Sequence, residues 1–275
     1  DSSGKVVAQG VHTPESPKSL SKKTGNLTFT LPLPDCNLWT PEDPFLYNLQ
    51  LSTGADNISE RFGMRSFRVD PKTGRAYLNG KPYYMRGTNV NIFRFFEDPE
   101  RASLPWNGKW VRDLHQKFKS MHWNSMRYCI GFPPEKWYDI ADEEGFLIQN
   151  EYPLWGNTKV SGDALTEAYK AWMKEHWNHP CVVIWDAQNE TITEATGEAI
   201  ENVRHLDMSE RPWDNGWSPP QSQTDVIETH PYLFIRYRNE TPSKEYLDTL
   251  LGEVRIPHNG PNQRSPKENG RYENA

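Results

Sequence analysis

The residues best suited to chemistry stand at the end of one apolar run, Cys181-Val182-Val183-Ile184-Trp185, which passes through Asp186-Ala187-Gln188 into Asn189-Glu190. Five apolar residues without alternation suit a strand buried on both faces and are too few for a helix. Pro180 has no N–H and biases His179 toward extended geometry, so the strand begins there. Its C-terminal end then carries a carboxamide beside a carboxylic acid. In parallel-sheet α/β proteins that end of a strand is where ligands bind and where catalytic groups are placed. Asn189 and Glu190 are therefore a candidate functional pair. The alternative is a surface Asn-Glu opening the next helix, where an acid complements the helix dipole.

The elements around this stretch alternate. Met85-Arg86-Gly87-Thr88-Asn89-Val90 reads as a short strand, and Trp110, Val111, Leu114, Phe118 and Met121 follow at helical spacing with Asp113 and Lys117 paired four apart on the outer face. Ser125–Cys129 is the next strand. Trp137, Ile140 and Ala141 mark a helix that Gly145 can end, leading into Phe146-Leu147-Ile148. Leu165, Ala168, Tyr169, Trp172, Met173 and His176 line a further helix, capped by Ser161 or Asp163. The 181–185 strand is then the fourth counted from Tyr84. Ala195, Ala199, Val203 and Leu206 continue as a helix, and Arg211–Asp214 and Asp225–Glu228 are further strand candidates. Such an order implies a parallel sheet with right-handed crossovers, doubly wound or closed as a barrel. Neither G-x-G-x-x-G nor G-x-x-x-x-G-K-[ST] follows any strand, which disfavours nucleotide binding and leaves the barrel as the expected form. About six strands fit in all, whereas an eight-stranded barrel normally needs about 250 residues, so the barrel is expected to be incomplete at its C-terminal end.

The first part of the chain differs. Leu27–Leu31 and Phe45–Leu51 alternate with a period of two, separated by Pro- and Ser-rich turns such as Thr13-Pro14-Glu15-Ser16-Pro17, and read as antiparallel strands of a sandwich. About four strands fit before residue 60, fewer than the seven or so of an immunoglobulin-like sandwich, whose N-terminal strands are expected to be missing. Asn79-Gly80 between Ala76–Leu78 and Lys81–Tyr84 signals a tight hairpin, and Asp70–Gly74 a turn before it. The expected division is residues 1–66 as a partial immunoglobulin-like sandwich and residues 67–275 as a truncated TIM barrel.

Composition limits the partners. The 275 residues are 35% hydrophobic and 25% charged, with a net charge of −6, and no basic cluster with interleaved aromatics occurs, so a nucleic-acid partner is not expected. No apolar run approaches the roughly 20 residues that span a bilayer. Cys36, Cys129 and Cys181 are odd in number and widely spaced, reading as small hydrophobes and not as a disulfide framework or zinc site. The eleven Trp are a weak pointer to sugar stacking, most being core, and Trp185 reads as packing. The chain starts at Asp1 without a signal-peptide pattern and reads as a mature form or a cut piece.

Seven segments in order resemble glycoside hydrolase family 2, which includes β-galactosidases, β-glucuronidases and β-mannosidases. They are Trp39–Tyr47, Arg61–Arg65, Leu78–Pro82, Arg86–Asn89, Asn124–Arg127, Asp142–Ile148, and Asn178-His179-Pro180 with Trp185 and Asn189-Glu190. The resemblance spans residues 38–232. It implies a jelly-roll domain, an immunoglobulin-like domain and a catalytic TIM barrel, of which part of the second and most of the third are expected here. It makes Glu190 the general acid/base and Asn189 the ligand of the sugar 2-hydroxyl. A glycosidic oxygen leaves poorly unless protonated, and in a retaining enzyme the same carboxyl later deprotonates water. The family's nucleophile is a Glu followed by Tyr or Phe and Gly on the seventh strand. Neither tripeptide occurs in this sequence, so the nucleophile is expected beyond Ala275.

The resemblance also makes Arg127 the arginine that holds site carboxylates, with an ordinary strand-end ion pair as the alternative. Glu228 and Glu151, each at a strand end, could also be proposed as the nucleophile, with a solvated acid at a loop start as the alternative for both; Glu151 is instead expected in a sugar-binding or pKa-setting role, and Glu228 is left without one. His230 and Tyr232 resemble residues that contact nucleophile or sugar, a satisfied structural residue being the alternative for His230. Two departures are visible. Asn91 stands where the family's Arg-Gly-x-Asn-x-His has its histidine, and Arg127-Tyr128-Cys129-Ile130-Gly131 lacks the histidine that often follows the site arginine. Asn91 is kept as a substrate-binding candidate, and the departures imply a divergent sugar specificity. No magnesium ligands match around Glu151, so no metal and no cofactor is expected. The expected function is retaining β-glycosidase action on terminal sugars, the alternative being an inactive fragment or a non-catalytic carbohydrate-binding relative. The full-length protein is expected in the periplasm or outside the cell, with the cytoplasm as the alternative, and the sequence does not fix its oligomeric state.

Overall fold

Period-two alternation over Phe45–Leu51 gives the first strand in the computed structural model, which describes residues 4–11, 28, 30–156 and 159–228. β1 (Tyr47–Ser52) and β2 (Asn57–Phe62) pair antiparallel, and Tyr47 stacks on its register partner Phe62 with ring centroids 5.5 Å apart. The expected strand over 27–31 does not form at its described positions: residues 28, 30 and 31 are irregular, and 27 and 29 lie outside the described residues, as do residues 13–17. β3 (Phe67–Val69), β4 (Ala76–Leu78) and β5 (Lys81–Pro82) form a second antiparallel sheet. Its hairpin turns through Asn79 (φ 50°) and Gly80 (φ 76°), the paired left-handed residues that a two-residue turn demands.

Beyond it the period changes. β6 (Gly87–Asn91), β7 (Ser125–Cys129), β8 (Leu147–Glu151), β9 (Val182–Asp186) and β10 (Trp213–Asp214) form one parallel sheet whose spatial order follows the chain. A doubly wound sheet reverses strand order at a switch point. Successive neighbours without reversal are the staves of a barrel wall. After a short α1 (Phe93–Phe96), the crossovers are α2 (Gly108–Ser120), α3 (Lys136–Glu144), α4 (Gly162–His176) and α5 (Glu194–Val203). Ser161 caps α4, its Oγ accepting from the Ala164 N–H at 3.2 Å. Gly145 ends α3 at φ 76°, where a Cβ would collide with the Pro41 carbonyl oxygen.

Two expectations need correction. The ion pair on α2 joins Asp113 to Lys109 (2.6 Å), one turn back, because the helix already begins at Gly108 and puts Lys109 in its first turn. Asp225–Glu228 is not a strand. The Asp225 carboxylate accepts from Arg204, from the Trp213 N–H and from the Gln221 N–H, and the segment stays irregular with one ladder-like bond, Val226 N–H to Trp213 O (3.0 Å).

The helix-facing side of the sheet is a core of rings. Trp185 and Trp213 pack against Trp172 and Tyr169 of α4, and the Trp185 Nε1–H donates to Asp207 at 2.9 Å, so Trp185 is a packing residue as its place in the run implied. Cys129 and Cys181 are buried and free. Trp39, fully buried, donates from Nε1 to the Asp142 carbonyl, and Arg61 of β2 pairs with Asp139 and Glu143, so the N-terminal segment is fastened to α3.

Candidate active site

Strand register gathers the polar side chains at one edge. Asn91 lies opposite Cys129, Glu151 opposite Asp186, and Asp186 opposite Asp214, all at the C-terminal ends of their strands. Neighbouring positions face the helices: Asn150 accepts from the Tyr138 hydroxyl of α3 at 2.6 Å. Alternation therefore turns Arg127, Gln149, Glu151, Asp186 and Asp214 to the opposite face, the interior of the barrel.

Arg127 is the hub. Its Nε donates to Asp186 Oδ2 (2.9 Å), and its Nη2 lies 2.6 Å from Glu151 and 3.0 Å from Glu228 and donates to Asn189 Oδ1 (3.2 Å). Gln149 divides its amide between Asp186 (2.8 Å) and Asp214 (3.0 Å). One guanidinium thus serves three carboxyls, Gln149 ties Asp214 to them, and Glu151, Asp186 and Asp214 are all buried. Burial, reinforced by the neighbouring acids, pushes the carboxyls of Glu151, Asp186 and Asp214 above the ordinary range against the pull of Arg127. Burial works against the Arg127 cation too, but Asp186, Glu228 and Glu151 outweigh it and keep the guanidinium charged. The cluster therefore retains protons that exposed acids would have lost.

Asn189 and Glu190 lie just past the strand, not on it. The ladder extends to Asp186, because that carboxylate is satisfied by Arg127 and Gln149 inside the barrel, and the pair follows on a loop. The loop is fixed at both sides. The Asn189 N–H donates to Leu154 O (2.9 Å), and Thr191 Oγ1 donates to Asn189 O (2.7 Å) while accepting from the Gly156 N–H (2.9 Å). Glu190 is half-buried at φ 42°, a left-handed conformation that non-glycine residues adopt at a cost and that collects at functional sites.

The other expected residues distribute as follows. Arg127 and Glu151 are in the hub, Glu151 also accepting from the Ile130 N–H. Asn91 ends β6, half-buried, with its Oδ1 buried and without a hydrogen-bond partner among the described residues. His230 and Tyr232 lie outside the described residues. Glu228, without a role in the sequence reading, joins the hub. Asp186, Asp214 and Gln149 were not singled out by sequence; for Asp186 the signal was available, an acid directly after the apolar run. Asp142, His179 and Cys181 bring three ligand-type atoms within 4.8 Å, but they sit at the opposite, N-terminal end of β9 and are bonded to one another: His179 Nδ1 to Asp142 Oδ2 at 2.6 Å, and the Cys181 N–H to Asp142 Oδ1 at 2.9 Å. No helix among the described residues is long and apolar enough to cross a membrane.

Comparison with known families decides what kind of barrel this is. Residues 69–215 match the TIM barrel domain of glycosyl hydrolases family 2, and residues 1–65 match a further domain of the same family. The chain belongs to glycosyl hydrolases family 2. Its five parallel strands lie within the residues that match the family's TIM barrel domain, and β1 and β2 within the residues of the other match. Similar proteins include a β-galactosidase of Oenococcus oeni, 27% identical over 72% of this chain and 20% of its own length, and one of Lactococcus lactis, 25% identical over 78% and 23%. Among solved structures, a β-glucuronidase from Ruminococcus gnavus in complex with D-glucuronic acid matches with a TM-score of 0.56 and 26% identity, over 67% of this chain and 33% of its own. A β-glucuronidase from Bacteroides uniformis shares the fold at a TM-score of 0.54 and 24% identity, covering 70% of this chain and 26% of its own. The chain thus spans about a fifth of the length of these curated relatives.

Proposed function

We propose that this chain carries the acid/base half of a retaining β-glycosidase, with Glu190 as general acid/base, Asn189 as ligand of the sugar 2-hydroxyl, and the nucleophilic glutamate outside these 275 residues. The observation that carries the reading is the bond from Arg127 to Asn189 Oδ1 at the mouth of the barrel. With its carbonyl oxygen taken, the Asn189 amide keeps its two N–H donors for a hydroxyl of the substrate. Glu190, next in sequence, is half-buried, whereas Glu151, Asp186 and Asp214 are sealed under the hub, out of reach of a glycosidic oxygen.

In the proposed reaction Glu190 protonates the departing oxygen as the nucleophile forms a glycosyl–enzyme ester, then removes a proton from the water that hydrolyses it. Arg127 and its acids hold Asn189 and set the local charge. Asn91 and Glu151 are proposed as sugar-side groups, Glu151 acting through Arg127, and His230 and Tyr232 as contacts of nucleophile or sugar. The substrate class is a terminal β-linked sugar. Absence of the usual histidine at Asn91 favours a sugar other than the family's galactosides and glucuronides, and the relatives' names do not transfer a substrate across 25–27% identity.

The test uses the polypeptide extended by the remaining barrel, alongside the 275-residue chain, on a panel of aryl β-glycosides graded in leaving-group acidity. Glu190→Gln should lose the most rate on the least acidic phenols and little on the most acidic, because only the former need protonation. Uniform loss across the series would remove Glu190 from the acid/base role. Hydrolysis by the 275-residue chain alone would contradict the placement of the nucleophile.

A further inference from the structure

Trp155 stands out at the mouth of the barrel. It is 51% exposed, although large aromatic side chains usually bury most of their surface, and it lies four residues beyond Glu151 on the loop after β8. Single exposed apolar residues are common, so exposure decides nothing. Its tethering does. Trp155 forms a parallel backbone bridge with Asn189, and the residues on both sides of it are fastened to the same loop: Leu154 O accepts from the Asn189 N–H (2.9 Å), and the Gly156 N–H donates to Thr191 Oγ1 (2.9 Å). Leu154 and Thr191 are buried, so the anchor is rigid while the ring stays open.

We propose that Trp155 is the stacking platform for the leaving group at this site, taking the apolar face of a sugar or aryl ring on the outer side of the bond that Glu190 protonates. This deepens the proposed function and rests on it. The sugar that is cleaved off reaches inward to Asn189 and the Arg127 hub, while the group beyond the glycosidic oxygen lies on the side of the acid, toward the rim. Trp155 occupies that rim and is joined through the backbone to the residue beside the acid. A platform fixed before binding loses little freedom on engaging a ring, and that is when a stacking contact contributes most.

The experiment measures binding, so that it does not depend on turnover. In the polypeptide extended by the remaining barrel and carrying Glu190→Gln, calorimetry compares a p-nitrophenyl β-glycoside with the corresponding free monosaccharide. The glycone is whichever one the unmodified protein hydrolyses, or galactose and glucuronic acid in turn if it hydrolyses none. Adding Trp155→Ala should weaken the aryl glycoside roughly tenfold and the monosaccharide less than twofold, and Trp155→Phe should recover most of the loss. Equal weakening of both ligands, or no change in either, would overturn the stacking role, as would failure of the Glu190→Gln parent to prefer the aryl glycoside. Failure of the unmodified protein to hydrolyse any glycoside would count against the proposed function alone, since the binding comparison can still come out as expected.

Discussion

Stability at alkaline pH should depend on His179, at the N-terminal end of β9. Its Nδ1 lies 2.6 Å from Asp142 Oδ2 and its Nε2 2.6 Å from Glu135 Oε1, so the ring is held between two carboxylates. Burial alone would lower its pKa, but the bonds to Asp142 and Glu135 outweigh burial and raise it from 6.5 to about 9. A raised pKa in the folded state means that the stabilisation is fully present below pH 6.5 and is lost as pH rises through about 9. At 1.36 kcal/mol per pH unit the linkage is worth up to about 3 kcal/mol, and nearer 2 because the side chain of Glu135 is 58% exposed and screened by water. The assay is urea unfolding of the native protein and His179→Gln between pH 6 and pH 10. Glu151 retains its proton in the same direction of pH, so the difference between the two proteins, not the native curve, is the readout. The native protein should lead by about 2–3 kcal/mol at pH 6, the lead closing by pH 10. A lead that stays constant with pH would refute the charged-ring account.

Three further perturbations follow from named contacts. Arg127→Met removes the cation shared by Glu151, Asp186 and Glu228 and should cost roughly 3–5 kcal/mol in urea unfolding at pH 8, with part regained at pH 5, where Asp186, its carboxyl pushed up to about 6, is protonated; equal loss at both pH values would contradict the hub. Ser161→Ala removes the α4 cap and should lower stability by about 1 kcal/mol, whereas Ser161→Asp should keep it, both read by thermal unfolding. Gly145→Ala meets both a left-handed backbone and the Pro41 carbonyl, so it should destabilise by at least about 1–2 kcal/mol, with native-like stability as the contrary result.

The wall of the barrel was legible because periodicity is local. Ser125–Cys129 came out with its predicted bounds, Asn79-Gly80 gave its hairpin, and Ser161 its cap, since each depends on residues within one turn or one strand. The hub was legible only in part. Arg127 reaches Asp186 across 59 positions of sequence and Asn189 across 62, and no period in the chain encodes which acids a guanidinium will collect. In the sequence Asp186 is only the residue that follows the apolar run, whereas register makes it an interior group opposite Glu151 and Asp214. Asp225–Glu228 misled for the opposite reason: a short apolar pair implied a strand, but Asp225 gathers Arg204, Trp213 and Gln221 as donors and the segment stays irregular. Trp155 gave no periodic signal at all; its role emerges only from the bridge to Asn189.

The role of Glu190 meets its most direct test in azide rescue of Glu190→Ala, in the polypeptide extended by the remaining barrel, on an aryl β-glycoside with an acidic leaving group. Removal of the side chain opens the position from which the base would deliver water, so azide should accelerate turnover and yield the β-glycosyl azide, with configuration retained. An α-glycosyl azide would mark Glu190 as the nucleophile instead, and an absence of rescue with unchanged hydrolysis would remove it from the reaction.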